Sequence, residues 1–307
     1  MRVFVTGASG WIGSAVAAEL IEAGNQVVGL ARSDASAEAV QESGAEVRRG
    51  DIQDLDVVRA GARDSDAVVH MAFRHDVAFR DGDFEAAVDS NQAAIEAIGE
   101  ELAGSDRPFA IASGVAGLKP GSLATEDERP EPFPGPGGRI QNERTALALA
   151  DRGVRSMSVR FSPTVHGDGD GGFIKMITEA DRGHGLAAYV DEGAARWPAV
   201  HVSDAARLVR LGIERAPAGS VLHAVAEEGV AMRDIAEAIG QGLGIPADSI
   251  TAEQAGEHFG FLAAFVAMDM PVSSAITRGL LDWAPSGPEL VEDIAAGHYF
   301  EERALKY

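Results

Sequence analysis

The 307-residue chain contains no cysteine. That absence removes disulfides, thiolate nucleophiles and cysteine-based metal sites together. Tyrosine and lysine are scarce, with only Tyr189, Tyr299 and Tyr307 and only Lys119, Lys175 and Lys306. No tyrosine stands four residues before a lysine. Positive charge is short as well: Lys and Arg number 26 against 48 Asp and Glu, a formal charge of −22. Such a surface repels phosphate backbones and anionic membranes, so neither nucleic acid nor lipid is expected as a main partner. An anionic cofactor must then be held by local features. No apolar run reaches membrane-spanning length, and the first residues read as a strand rather than a leader, so a cytoplasmic location is the expectation. No His-x-x-x-His or acidic cluster stands at ligand spacing, so no metal is expected, and no Gly-x-Ser-x-Gly elbow is present.

What is there begins at once. Residues 2–6, RVFVT, form a β-branched apolar run, and GASGWIG follows with glycines at 7, 10 and 13. A helical pattern then runs from Ile12 to Ala23. Between strand and helix each glycine has a physical task. Gly7 permits a tight turn, Gly10 lets backbone approach a pyrophosphate, and Gly13 lets the helix pack on the sheet. The helix N-terminus adds unpaired N–H groups and partial positive charge. Gly7, Ser9, Gly10, Trp11, Ile12 and Gly13 are therefore the candidate phosphate-end contacts of a dinucleotide.

A second strand, QVVGL (26–30), ends in Ala31-Arg32-Ser33. NAD-specific sites place a carboxylate here for the adenosine ribose hydroxyls. Ala31 and Arg32 instead suit a 2′-phosphate, so NADP(H) is the expected cofactor, with NAD(H) still open. Strand and helix patterns continue to alternate through 46–51, 54–61, 66–73, 84–103, 108–113 and 154–161. This alternation predicts a Rossmann-type, doubly wound parallel sheet of the α/β class. Asp51, with Ile52 beside it, is placed for adenine, and Ala72 and Phe73 would flank the cofactor at the next strand end. The expected organisation is a dinucleotide-binding domain over 1–167, to which 198–223 returns. A smaller C-terminal substrate-binding lobe takes 168–197 and 224–307.

With those segments in view, the chain resembles the extended short-chain dehydrogenase/reductases, the group of NAD-dependent epimerases and dehydratases. TGASGWIG resembles their cofactor loop, RRGDIQD the adenine strand, DAVVHMAF the strand that follows, and VRFSPTVHGDGD the stretch closing over nicotinamide. Family members carry Tyr-x-x-x-Lys-x-x-x-Glu before a helix, a glycine, a strand and an arginine. Counting back from Arg160 and Gly153, the glutamate falls on Glu143, the lysine on Arg139 and the tyrosine on Gly135. The family serine falls on Gly114, with Ser113 one residue earlier. The resemblance thus implies an atypical member whose proton donor is missing. It also implies a homodimer through helices near 84–103 and 139–152.

Arg139 can keep the lysine's task of holding the ribose or the substrate oxygen, but it is a poor general acid because it stays charged. His75, just past the strand facing the nicotinamide, and His166, in the loop after Arg160, are the candidate proton carriers. His70, His201 and His223 lie in strands and are expected to be structural. His184, His258 and His298 show no partner pattern. The expected function is an NADP(H)-dependent oxidoreductase acting on a small carbonyl or hydroxyl substrate with altered catalytic residues Arg139, His75, His166 and Ser113. Two alternatives stand beside it: an NADP(H)-binding redox sensor without turnover, and a sugar-nucleotide epimerase or dehydratase. The acidic, proline-rich stretch 124–138 is expected to face the substrate.

Overall fold

The computed structural model describes residues 1–116 and 118–301. The tail 302–307, included in the expected C-terminal lobe, lies outside the described residues. The first strands are β1 (Arg2–Thr6), β2 (Gln26–Ala31), β3 (Glu46–Arg49) and β4 (Ala67–His70). Then come β5 (Pro108–Gly114), β6 (Arg155–Phe161), β7 (Thr164–His166) and β8 (Ala187–Val190). The last four are β9 (Arg196–His201), β10 (Ser220–Ala224), β11 (Glu227–Ala231) and β12 (Ala247–Ile250). Seven of them form one sheet in the order β10-β6-β5-β4-β1-β2-β3, and every neighbouring pair in it is parallel.

This is the doubly wound α/β architecture that the strand–helix alternation predicts. Period-two burial makes the layers. On β1, Val3 and Val5 enter one core cluster while Phe4 enters another. Helices α1 (Trp11–Glu22) and α2 (Asp34–Glu42) send Leu20 and Val40 into the first cluster. On the other face, α3 (Leu55–Arg63) and α4 (Phe84–Leu102) supply Val58, Ile95 and Ile98, and α5 (Gly138–Ala148) supplies Ala146. Of the later helices, α6 (Phe173–His184) comes next, and α7 (Val202–Arg215) returns to the first face with Leu208 and Val209.

Two small sheets, β11-β9-β7 and β12-β8, sit beyond this frame. They border a further cluster in which Trp197, Ile235, Leu290 and Tyr299 are buried. The strand order matters for function. The chain steps outward from β1 to β2 and β3, then crosses back to place β4 on the other side of β1. Ligands of open parallel sheets bind at the carboxyl ends of the strands where the order reverses. Here that place is the crevice between β1 and β4.

Candidate cofactor and active site

The crevice is lined by backbone before it is lined by side chains. Gly7 has φ +72°, and a Cβ there would lie 2.8 Å from the Ala72 backbone nitrogen at the end of β4. A Cβ on Gly13 would stand 2.0 Å from the Gly7 carbonyl, so glycine is required for α1 to reach the sheet. Gly10 is different: a Cβ there would touch only the Gly7 carbonyl, at 3.3 Å, and otherwise opens outward. Gly10 also caps α1 without any side-chain acceptor, and no acidic residue stands in the first turn. By contrast, Asp54 and Asp83 cap α3 and α4 and accept from Val57 and Ala86. The start of α1 therefore keeps donors and positive dipole available to an anion, as a pyrophosphate requires. Trp11 turns away from this task, since its indole N–H donates to Val165 O at 2.8 Å.

At the adenosine end, Arg32 does not stand free. Its guanidinium donates to Asp76 at 3.0 Å, and Asp76 also accepts from Arg74 at 3.2 and 3.4 Å. Arg74 and Arg32 together hold the Asp76 carboxyl far below the usual carboxylate range. Arg74 reaches on to Gln53 at 2.6 Å and lies 3.8 Å from Asp51. Asp51 accepts from Gln53 N–H. Ile52 packs its side chain into the core with Leu30 and Val58, leaving only its backbone for a ligand.

At the other end, β4 delivers Ala72 and Phe73 while α5 delivers Arg139. Helix α5 starts at Gly138. Gly135 stands before it in a single 3₁₀ turn, with φ +72° and nothing within 4 Å of a Cβ built there. Positions 135 and 139 are therefore not two successive turns of one helix, and Gly135 is left-handed with open space beside it. The Arg139 guanidinium lies 4.5 Å over the Phe73 ring and donates to Ala112 O at 3.3 Å. Burial pulls it down to about 10, opposed by Glu143, so it remains a cation at neutral pH. The His75 ring stands edge-on to Phe73 at 5.1 Å and stacks on Phe79 at 5.9 Å. Burial among these neighbours, with the Arg139 charge, holds the imidazole below its ordinary value although the residue keeps exposed surface.

Beneath this surface, Ser113 is buried and its hydroxyl is engaged. Burial alone would raise the Glu143 carboxyl, but Arg160, Ser113 and Ser158 hold it below the usual range. Arg160 donates to it at 2.5 and 3.0 Å, and Ser158 at 3.0 Å. Removing one partner of such a buried pair typically costs about 3–5 kcal/mol. Ser113 and Glu143 thus brace α5 against β5 and β6.

His166 is the other candidate proton carrier. Its ring is 0% exposed and pairs through Nδ1 with Asp293 at 2.9 Å. Around it, Tyr299 donates to Asp170 at 2.9 Å, and burial raises the Asp170 carboxyl to about 6. The histidines without a sequence pattern do have partners: His258 meets Asp181 at 2.7 Å and stacks on His184 at 4.3 Å. His70 is a buried link, as expected. Thr6 lies 2.8 Å from its Nδ1 and Asn91 2.9 Å from its Nε2, and Asn91 donates to Asn142 at 2.8 Å. Burial lowers His70 to about 4, so it is neutral. This chain of polar groups joins the floor of the glycine loop to α5, one turn beyond Arg139. The stretch 124–138 is pinned rather than free. Glu126 accepts from Thr277 at 2.6 and 2.7 Å, and Ala124 bridges Val272. Asn142, Thr6, Asp76 and Glu126 were not singled out from sequence, since their partners lie far along the chain.

The sequence model of the NAD dependent epimerase/dehydratase family matches residues 3–224. The chain belongs to that family. An uncharacterized protein of Schizosaccharomyces pombe is 43% identical over 302 residues, which cover 98% of this chain and all of the relative. A Stigmatella aurantiaca protein named as a 4-hydroxy-2-methyl-3-oxo-4-farnesyl-3,4-dihydroquinoline-1-oxide ketoreductase is 26% identical, covering 72% of this chain and 67% of that one. Among solved structures, UDP-glucose 4-epimerase of Thermotoga maritima superimposes with a TM-score of 0.77 at 19% identity, over 98% of each chain. That likeness establishes the fold. As a member of the epimerase/dehydratase family the chain is an NAD(P)-dependent, oxidoreductase- or epimerase-like enzyme, and Gly7, Gly10 and the uncapped start of α1 suit the dinucleotide. No helix among the described residues is long and apolar enough to cross a membrane.

Proposed function

We propose that the chain is an NADP(H)-dependent oxidoreductase that interconverts a small carbonyl compound and its alcohol, with Arg139 and His75 working where the family has its tyrosine and lysine. The observation that carries this reading is the Arg139 guanidinium, held over Phe73 beside His75 at the carboxyl end of β4. A cation fixed there over a ring gives the substrate oxygen a charged donor already in place. The ketoreductase relative supports a carbonyl substrate, and Arg32 supports a phosphorylated ribose. A bound nicotinamide would supply hydride to the carbonyl carbon. Arg139 holds the oxygen as negative charge builds on it, and His75 gives that oxygen its proton, so C=O becomes CH–OH. His75 is preferred to His166 because it is exposed whereas His166 is fully buried.

The His75 shift sets a sign. With its value lowered, the imidazole is neutral at pH 7 and only a small fraction carries a proton to give. Carbonyl reduction should therefore speed up as pH falls from 7 toward 5, while alcohol oxidation should slow. The test is NADPH consumption against a panel of aldehydes and ketones. Arg139→Ala and His75→Asn should each lower turnover by about two to four orders of magnitude. Wild-type-like turnover in both variants, or a flat profile between pH 5 and 8, sinks these roles. One observation favours a second reading, a cofactor-binding redox sensor: Gly135 leaves the tyrosine position empty and left-handed. The sensor predicts NADPH binding with no turnover of any panel member.

A further inference from the structure

Five aromatic rings form a connected series at the mouth of the crevice. Phe73 meets His75, His75 stacks on Phe79, and Phe79 stands edge-on to Phe84 at 5.0 Å. The fifth ring, Phe261, comes from the far side, out of the segment that borders the second cluster, and lies 6.4 Å from Phe79. Phe79 and Phe261 are 54% and 60% exposed. Two large apolar rings packed against each other and left in water are the kind of exposed patch that marks a ligand site. The inner ring, Phe73, already has the Arg139 cation on its face. Phe79 already has His75 stacked on it, so the surface still open is the outer side of the Phe79–Phe261 pair.

Charge narrows the ligand. Residues 168–197 and 224–301 carry nineteen Asp and Glu against five Lys and Arg, and those five cations are engaged. Lys175 donates to Tyr299 O and Glu301 O, Arg182 to Phe300 O, and Arg278 to Ala226 O. Arg196 forks onto Asp269, and Arg233 lies over Tyr189. A diphosphate entering here meets net negative charge and finds these cations occupied, whereas an uncharged ring meets two aromatic faces.

Resting on the oxidoreductase reading above, we propose that the contacting Phe79–Phe261 pair forms a one-sided aromatic clamp that stacks on the flat ring of an uncharged aromatic carbonyl compound (an aryl aldehyde, aryl ketone or quinone), presenting its oxygen to Arg139 and His75. Each ring contact is worth about 2- to 10-fold in affinity. The probe is 2-naphthamide, whose amide NADPH does not reduce, titrated by calorimetry into the protein with NADP⁺ present. Phe79→Ala and Phe261→Ala should each weaken it about 5-fold, within that range, Phe261→Tyr should restore it, and NADP⁺ affinity should stay unchanged. In turnover, KM for 2-naphthaldehyde should rise by the same factor while that for propionaldehyde does not. Equal 2-naphthamide affinity in wild type and both alanine variants overturns the clamp, as does tighter binding of UDP-glucose than of 2-naphthamide. The two proposals fail separately. If 2-naphthamide binds as expected and no carbonyl compound is reduced, the clamp stands and the oxidoreductase reading falls. If carbonyl compounds are reduced with no response to either ring, the reverse holds.

Discussion

At the β1 end of the crevice, three glycines do three separable tasks with backbone alone; at the α5 end, the work falls to side chains gathered from separate elements. Gly7 turns and Gly13 packs, with no room for a methyl at either. Gly10 faces outward at an uncapped helix start. At the far end, Arg139 from α5, Phe73 and His75 from beyond β4, and the brace of Glu143, Arg160 and Ser113 below them must all be in register. The difference teaches where such a fold tolerates change. Backbone recognition of a pyrophosphate cannot drift without losing the turn, so it stays within the family's pattern. A proton donor is one side chain, and in the function proposed above its position is empty while the helix behind it remains braced.

The sharpest way to break this comparison is inside the glycine loop. Gly10→Val should leave the protein folded and weaken NADPH by more than about 100-fold, because the new side chain stands where the phosphate approaches. Gly13→Val should fail to fold instead, since its Cβ alone collides with the Gly7 carbonyl. Fluorescence titration and thermal melts read the two separately. Normal NADPH binding by Gly10→Val would show that the loop does not face phosphate.

A second experiment sharpens the other end. Restoring the family residues as Gly135→Tyr with Arg139→Lys should not restore family chemistry. Position 135 has φ +72° and precedes the helix, so a tyrosine there pays about 1–2 kcal/mol of backbone strain and does not share a helix face with residue 139. We expect a lower melting temperature and no gain in turnover over Arg139→Lys alone. A gain would mean that the turn before α5 rebuilds into helix once the side chains allow it.

These two ends also differ in how far they could be read from sequence. The doubly wound sheet and the glycine tasks followed from local patterns, because a tight turn and a strand–helix alternation are written in contiguous residues. The matching of Gly135, Arg139 and Glu143 to the family's motif came from counting back from Gly153 and Arg160, whereas the pairing of Glu143 with Arg160 appears only in three dimensions. What could not be read was pairing across the chain. Asp76 reaches Arg32 from 44 residues away, and Asp293 reaches His166 from 127 away. Neither carboxylate sits in a pattern that names its partner. The π-helical turn Asp76–Arg80, which carries Asp76 and Phe79, has no apolar periodicity to announce it. His166 illustrates the consequence: its neighbours in sequence give no hint of Asp293, which packing brings against its ring.

The smallest expected effect is also the one that ties both ends together. Asp76 sits between Arg32, offered here for a 2′-phosphate, and Arg74, and it belongs to the same segment as His75 and Phe79. Its carboxyl stays ionised at any working pH, because Arg74 and Arg32 both hold it down. A phosphate arriving at Arg32 therefore meets a resident anion that shares the guanidinium. Asp76→Asn keeps the shape, removes the charge and releases Arg32. Partly exposed pairs of this kind are worth about 0.2–1 kcal/mol, so NADPH should bind roughly 1.5- to 5-fold tighter in the variant and NADH about as before. Added salt should shrink the gain, since screening weakens the same repulsion. Weaker binding of both nucleotides would give the opposite lesson. Asp76 would then be an acceptor for the ribose hydroxyls, with Arg32 serving only to position it, and the preference for NADPH would have to be abandoned.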